Sequence, residues 1–265
     1  MEKQIIGRGV LAGALAGVFA FVFARIFVEP VIERAIGYED GIGAAHEALE
    51  GATAGHHHGA EGGGFTRAVQ ANIGMGLGVL AFSVAMGALF AVVFAVAYGR
   101  VGNVSARLLS VYVAGAMLLS LYVVPALKYP PNPPAVSLDE TIRQRTLLYL
   151  LLVVLSAALL VGAVYLARRL AERMGAWNAT LVAAAGYIVA VLVVMLILPT
   201  IDETPGPLLD GAGNIVYEGF PADDLYEFRL FSFGTQVVMW ATIGLVFAAL
   251  ASRLLDGRRQ EALAA

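Results

Sequence analysis

The sequence contains no cysteine and little charge for its length. Without cysteine there are no disulfides, thiolate metal sites or cysteine nucleophiles. Charged residues make up 14% of the chain and hydrophobic residues 59%. That leaves too little polar surface to enclose the apolar mass in a soluble globule. The sequence also lacks a phosphate-binding loop, a nucleophile paired with a base and an HExxH zinc motif, so we expect no enzyme and no ATP-driven pump.

Six long apolar stretches divide the chain. Each has about 20 residues, enough to cross a hydrocarbon core of about 30 Å as a helix. Spans of a β-barrel would be shorter and would alternate in hydrophobicity. We therefore predict an all-α integral membrane protein with about six transmembrane helices, in which residues 1–265 form a single polytopic domain. The stretches are Ile5–Val28, Ile73–Ala97, Ala106–Leu127, Leu147–Ala167, Thr180–Leu198 and Leu230–Leu250.

Charge is distributed unequally between the two sets of alternating loops. Ten Lys and Arg residues fall on the side of the two termini and six on the other, which predicts cytoplasmic N- and C-termini in a multi-pass protein of the cell membrane. All four histidines fall on the opposite, extracytoplasmic side. So do all the acids except Glu2, Glu172, Asp256 and Glu261.

A weak internal repeat relates the loops on the acidic side. The third and fifth stretches end in "VVPALKYPPNPP" and "LILPTIDETPGP", which aligns Pro125 with Pro199. The following stretches align Arg145 with Arg229, and Arg67 takes a similar place before the second stretch. This repeat favours three helical hairpins, an arrangement known from transporters whose sites lie between repeats. Shared interface chemistry is the alternative explanation.

Small and charged residues predict how the helices pack. Gly9, Gly13 and Gly17 form a four-residue stripe that would allow backbones to approach closely, and Gly74 and Gly78 form a second one.

Near the end of the first stretch, Arg25, Glu29 and Glu33 form a charged stripe at intervals of four residues. Pairing within it would reduce the cost of a charge at membrane depth, so anchoring is expected, with a gating role as the alternative.

The loop 29–66 is rich in histidine and glycine. His56, His57 and His58 are flanked by glycines, and His46 lies upstream in "GIGAAHEALE", which is expected to form a short helix. Neutral imidazole suits Co²⁺, Ni²⁺, Cu²⁺ and Zn²⁺, and a glycine-rich tether fits capture and release better than tight storage. A solvated low-complexity linker is the alternative.

The loop 199–229 is acidic, and in the sequence only Arg229 opposes its acids. Asp202 and Glu203 are the candidate metal ligands because they lie just beyond Pro199, where a helix end can face a vestibule. Thr235 and Gln236 are expected to form hydrogen bonds between helices, and a polar path inward is the alternative. Turn formation and helix capping are the alternative for each acid. The acids are Asp202, Glu203, Asp210, Glu218, Asp223, Asp224 and Glu227.

Three sequence stretches carry a resemblance to a known family. The opening "GRGVLAGALAGVFAFVFARIFVEPVI", the loop "KYPPNPPAVSLDETIRQRTLLY" and the final "FPADDLYEFRLFSFGTQVVMW" resemble the CbtA family of probable cobalt transporter subunits. The resemblance implies cobalt uptake associated with cobalamin biosynthesis, about five spans, and a small histidine-bearing membrane partner, CbtB.

These observations together predict a permease component for divalent transition metals. Co²⁺, or Ni²⁺ or Zn²⁺, would be the transported ion, and we expect no tightly bound cofactor. The expected partners are the lipid bilayer, the metal ion, a CbtB-like subunit and further copies of the chain, with no nucleic acid. A non-transporting membrane scaffold or metal-sensing subunit is the alternative.

Overall fold

A computed structural model describes residues 2–51, 66–102, 104–136 and 139–264, with side chains within 3–51, 66–102, 104–136 and 140–252. The described chain is mostly helical, with a short antiparallel hairpin of β1 (Leu208–Leu209) and β2 (Ile215–Tyr217). The helical elements are α1 (Glu2–Phe23), π1 (Ala24–Val28), α2 (Glu29–Gly51), α3 (Arg67–Val69), π2 (Gln70–Gly74), α4 (Met75–Ala97), α5 (Ala106–Leu118), π3 (Leu119–Val123), α6 (Val124–Lys128), α7 (Asp139–Ile197) and α8 (Ala222–Ala264).

Within these described ranges, five helices are long and apolar enough to cross a membrane. Many of their large apolar side chains point outward: Val18 and Phe19 of α1 are 52% and 55% exposed. Lipid rather than water suits such a surface. The predicted class, an all-α membrane protein, is therefore confirmed.

Helix α7 contains two of the six predicted apolar stretches. It has 59 residues and is broken at Gly175, whose φ of 81° and ψ of 157° are not helical. Ser156 and Tyr187, on either side of this break, are joined by a hydrogen bond of 2.8 Å between their hydroxyls. Because a straight helix of this length would extend about 90 Å, that contact shows that the two halves of α7 are folded against each other as a hairpin.

The first long helix continues well beyond its apolar part. Residues 29–51 were expected to be a loop with a short helix, but α2 prolongs α1 through π1 without interruption. Pro30 lacks the N–H that would continue the hydrogen-bond ladder. It comes two residues after the end of π1, just as Pro125 comes two residues after π3 and Pro199 two after α7. Pro30 and Pro125 thus occupy equivalent places, each after a π segment within a continuing helix, whereas Pro199 follows the end of α7.

Glycines allow α1 to pack closely against α4, as the stripe of Gly9, Gly13 and Gly17 predicted. The second predicted stripe, Gly74 and Gly78, was wrong. A Cβ added at Gly87 would lie 2.2 Å from the backbone oxygen of Gly9 and 2.7 Å from the Cα of Gly13. A Cβ at Gly78 would meet nothing within 4 Å. Gly87 therefore provides the close approach that the sequence had assigned to Gly74 and Gly78.

The main core lies where α1, α4, α5 and α8 meet. Phe90, Phe94, Trp240 and Phe247 are almost fully buried there, and the rings of Phe94 and Phe247 meet edge to face, with centroids 4.9 Å apart. By contrast, the α7 hairpin packs against the rest of the chain mainly through π3 and α6. It is a peripheral unit attached to a four-helix core.

Candidate functional site

One end of the helical bundle carries the histidine-bearing and acidic segments and is called here the acidic end. It comprises residues 29–51, 66–74, 128–146 and 199–229. The first part of α2 supports the acidic loop: Tyr38 donates a hydrogen bond of 3.1 Å to the backbone oxygen of Glu218. The Tyr38 ring also meets Phe220 edge to face at 5.0 Å between centroids. The acidic loop is thus packed against the protein by its apolar residues.

Glu203 is buried at the centre of this end. Its side chain is 1% exposed and accepts hydrogen bonds from Arg145 at 2.9 Å, Asn132 at 2.9 Å and Thr141 at 2.5 Å. Arg145 also donates to the backbone oxygen of Pro130. The carboxylate therefore joins the proline-rich loop, α7 and the acidic loop, and a metal ion bound to it would have to compete with these donors.

Asn132 connects this network to α8. Its amide nitrogen donates to Glu203, while its amide oxygen accepts a bond of 3.1 Å from Arg229. Arg145 and Arg229, which the sequence repeat aligned, therefore belong to one network, in which Arg145 bonds to Glu203 and Arg229 to Asn132. The Nε of Arg229 is buried and has no hydrogen-bond partner among the described residues. Sequence reasoning missed Asn132, although its place within "KYPPNPP" was noted.

The third aligned arginine, Arg67, pairs with Glu29, whose side chain is 2% exposed. The expected stripe of Arg25 with Glu29 was wrong, since Arg25 instead donates a 3.0 Å hydrogen bond to the side-chain oxygen of Asn72. Arg25 lies within π1 and Glu29 directly follows it, so the wider π turn alters the four-residue register on which the prediction rested.

Arginines from distant segments oppose the acids of the 199–229 loop. Arg34 lies 2.5 Å from Asp224 and also pairs with Glu227, in addition to the pairing of Arg145 with Glu203. The expectation that Arg229 alone opposes these acids was therefore wrong. The net negative field of the loop is weaker than its composition indicates.

The acids that remain in turns have local partners. Asp210 accepts hydrogen bonds from the backbone nitrogens of Ala212 at 2.9 Å and Asn214 at 2.8 Å, and from the side-chain nitrogen of Asn214 at 2.9 Å. The side-chain bond from Asn214 is the main cause that holds the pKa of Asp210 below its ordinary value. Asp210 therefore stabilises the turn between β1 and β2. Turn formation is the alternative role that the sequence predicted for these acids.

The proposed metal ligands lie in different surroundings. His46 is exposed on α2, Asp202 is exposed and accepts a 3.2 Å hydrogen bond from the nitrogen of Thr204, and Glu203 is buried. His56, His57 and His58 lie outside the described residues. Among the described residues, no group of three or more His, Asp or Glu side chains could hold a metal ion.

An open cavity of about 310 Å³ lies at the acidic end, between π1, α2, α4, π3 and α8. Tyr122, Ser232, Thr235 and Gln236 contribute polar groups to its wall. Thr235 and Gln236 are the pair for which the sequence favoured hydrogen bonds between helices, with a polar path as the alternative. The hydroxyl of Thr235 donates a 2.9 Å bond to the backbone oxygen of Phe231 in its own helix, which is not the expected bond between helices.

The fold defines a class: a polytopic helical membrane protein, here with an open and mainly apolar cavity at its acidic end. The particular family follows from comparison with known proteins, because residues 2–252 match the family model described as "Probable cobalt transporter subunit (CbtA)". The chain belongs to the CbtA family. Neither the curated proteins nor the solved structures contain a match.

Proposed function

We propose that this protein is the membrane permease component through which a cobalt transporter takes up Co²⁺, or chemically related Ni²⁺ or Zn²⁺, for cobalamin biosynthesis. Membership of a transporter-subunit family supports this proposal. The observation that carries it is the open cavity of about 310 Å³ between helices at the acidic end, the end that bears His46 and most of the described acids. Transporter sites commonly lie between helical units in this way.

Capture would precede entry into the cavity. The exposed His46, together with His56, His57 and His58 of the glycine-rich segment, would bind a borderline cation transiently through imidazole nitrogen. Asp202 would add an oxygen ligand or attract the cation. Glu203 would bind the ion only if the ion displaced its three hydrogen-bond donors. Its main role would therefore be to fix the shape of the entrance.

The proposed orientation places the acidic end outside the cell and both termini in the cytoplasm. Counting the two halves of α7 separately gives six crossings, which returns the C-terminus to the side of the N-terminus. An inside-negative potential then favours entry by about 2.3 kcal/mol per charge per 100 mV, or about 4.6 kcal/mol for a divalent cation.

Uptake of radioactive cobalt into liposomes that hold the purified protein tests this function. We expect saturable uptake under an inside-negative potential. Replacing His56, His57 and His58 together by alanine should raise the half-saturating cobalt concentration, because the capture ligands are lost. Unchanged uptake by this variant would overturn the capture role while leaving the permease intact.

The chemistry of the cavity wall favours a second function. No Asp, Glu or His is among the described residues that line it, whereas many ion pathways contain a carboxylate. A membrane scaffold or metal-sensing subunit would need no such pathway. It would assemble with a CbtB-like partner or with further copies of the chain. Uptake that appears only after co-reconstitution with that partner would support this second function.

A further inference from the structure

We propose that the end of the bundle opposite the acidic end binds the phosphate of an anionic phospholipid between Arg168 of α7 and Arg100, which follows α4. The inference goes beyond the proposed transport function, because it concerns how the chain meets its bilayer and holds for any transported ion. This end is called here the basic end and comprises residues 3–8, 97–102, 104–107 and 165–178.

Positive charge at the basic end has almost no acidic counterpart. Among the side chains described there, Glu172 is the only acid. The ion pairs in the described part of the chain include none of the cations at this end. Because like charges repel one another, an anion at this surface would stabilise them. The cations are Lys3, Arg8, Arg100, Arg107, Arg168, Arg169 and Arg173.

Backbone carbonyls fix two of these arginines near one another. The Arg168 guanidinium donates to the backbone oxygen of Arg100, and the Arg100 guanidinium donates a 2.7 Å bond to the backbone oxygen of Val96. A guanidinium has five N–H groups, and each of these bonds uses one. Both side chains are exposed, so donors on each are accessible to an anion. Planar guanidinium groups bind phosphate through paired hydrogen bonds, and one phosphate could therefore be shared by both elements.

Aromatic and apolar side chains beside the arginines indicate that the phosphate belongs to a lipid. Trp177 is 76% exposed and Tyr165 is 62% exposed, and the Arg169 guanidinium lies 5.7 Å from the centre of the Tyr165 ring. Exposed aromatic rings of this kind favour the level of the lipid headgroups. Val161, one turn before Tyr165, is 72% exposed and belongs to the apolar surface of the same helix. The arginines thus lie where headgroups meet acyl chains.

The position of the pair gives the bound lipid a structural role. The α7 hairpin packs against the rest of the chain mainly through π3 and α6. At the basic end, the contact of Arg168 with Arg100 joins α7 to the turn after α4. A phosphate held by both guanidinium groups would strengthen this second attachment. In the proposed orientation the basic end faces the cytoplasmic leaflet, whose anionic lipids attract basic residues near the membrane surface.

Lipid binding by the purified full chain in detergent tests the site. Native mass spectrometry compares the retention of phosphatidylglycerol, which is anionic, with that of phosphatidylcholine, which has no net charge. Arg168→Gln and Arg100→Gln each remove one guanidinium. Arg143→Gln is the matched control, because Arg143 is an exposed arginine of the same α7 helix, has no ion pair with a described acid and lies at the acidic end.

We expect the wild type to prefer phosphatidylglycerol, and each variant at the basic end to bind it about fivefold more weakly, the effect of one basic residue near an anionic membrane surface. Arg143→Gln should bind it as the wild type does. Equal binding of phosphatidylglycerol by all four proteins would overturn the site. Displacement of phosphatidylglycerol by excess inorganic phosphate would show that the site takes a soluble anion, and would overturn the lipid assignment.

Fluorescence quenching measures where the lipid binds. Bromine atoms on an acyl chain quench tryptophan at short range, and the chain has two tryptophans, the exposed Trp177 and the buried Trp240. In vesicles of phosphatidylcholine, brominated phosphatidylglycerol should quench Trp177 more than brominated phosphatidylcholine does at the same mole fraction. Arg168→Gln should abolish this difference, and Trp177→Phe measures the contribution of Trp240. Equal quenching of the wild type by the two lipids would contradict a lipid phosphate at Arg168.

Discussion

Adding a single methyl group at Gly87 should separate two helices of the core. In the structure, the Cβ of an alanine there would lie 2.2 Å from the backbone oxygen of Gly9, whereas ordinary contacts begin near 3.4 Å. Because the obstacle is backbone, it cannot turn aside as a flexible side chain would. Helix α1 would have to move away from α4 by roughly 1 Å, and a gap of that size forfeits about a quarter to a half of each affected dispersion contact.

The expected cost of Gly87→Ala is about 1–3 kcal/mol, which is typical of an overpacked interface. For a chain of this size, each kcal/mol lowers the melting temperature by about 2–4 °C, so the predicted fall is about 2–12 °C. Thermal unfolding in detergent micelles, followed by the fluorescence of the buried Trp240, measures it. The control is Gly78→Ala, since a methyl group there meets nothing within 4 Å. Equal melting temperatures for the two variants would refute the close packing.

Three further predictions follow from the acidic end and the α7 hairpin. Glu203→Gln should destabilise the protein by about 3 kcal/mol, because the largely buried Arg145 loses its carboxylate; thermal unfolding measures this. Gly175→Ala should cost about 1–3 kcal/mol, because φ and ψ of 81° and 157° are unfavourable for alanine. Asn214→Ala should raise the pKa of Asp210 toward its ordinary value, since the main hydrogen bond that lowers it is lost; NMR titration of labelled aspartate detects the change.

Each of these predictions has a control or a contrary result. Asp224→Asn, which breaks an ion pair with the 46% exposed Arg34, should cost no more than about 1 kcal/mol, and a larger cost than that of Glu203→Gln would contradict the role of burial. Gly162→Ala, within helical α7 and without near neighbours, should leave stability nearly unchanged. Because the folded pKa of Asp210 is lowered, its hydrogen bonds stabilise the loop above the ordinary pKa, and that contribution is lost as pH falls through the lowered value. An unshifted titration in Asn214→Ala would contradict the assigned cause.

Local signals predicted the helices and part of their packing. Hydropathy was sufficient to place all six apolar stretches in helices, because each is long and continuous enough to satisfy its own backbone. The stripe of Gly9, Gly13 and Gly17 also predicted close packing, because four-residue spacing places all three glycines on one face of the helix. It could not identify Gly87 as the partner, because spacing within one helix contains no information about the register of the next.

Long-range pairing is where the sequence was insufficient. Asn132 joins Glu203 to Arg229 across 71 and 97 residues of chain, and no local pattern specifies such a contact. The same holds for the pairing of Arg34 with Asp224, 190 residues apart. The aligned Arg145 and Arg229 gave a hint, because functional sites of transporters often lie at the interface between repeats.

Transport by this chain is tested most directly by Co²⁺ uptake into sealed liposomes that hold the unmodified chain alone, compared with protein-free liposomes, as the inside-negative potential is varied. If the chain is a permease, uptake is saturable and increases with the potential, as expected for a divalent cation that crosses without a chemical energy source. Uptake equal to that of protein-free liposomes at every potential, with correct insertion of the protein verified, would contradict it.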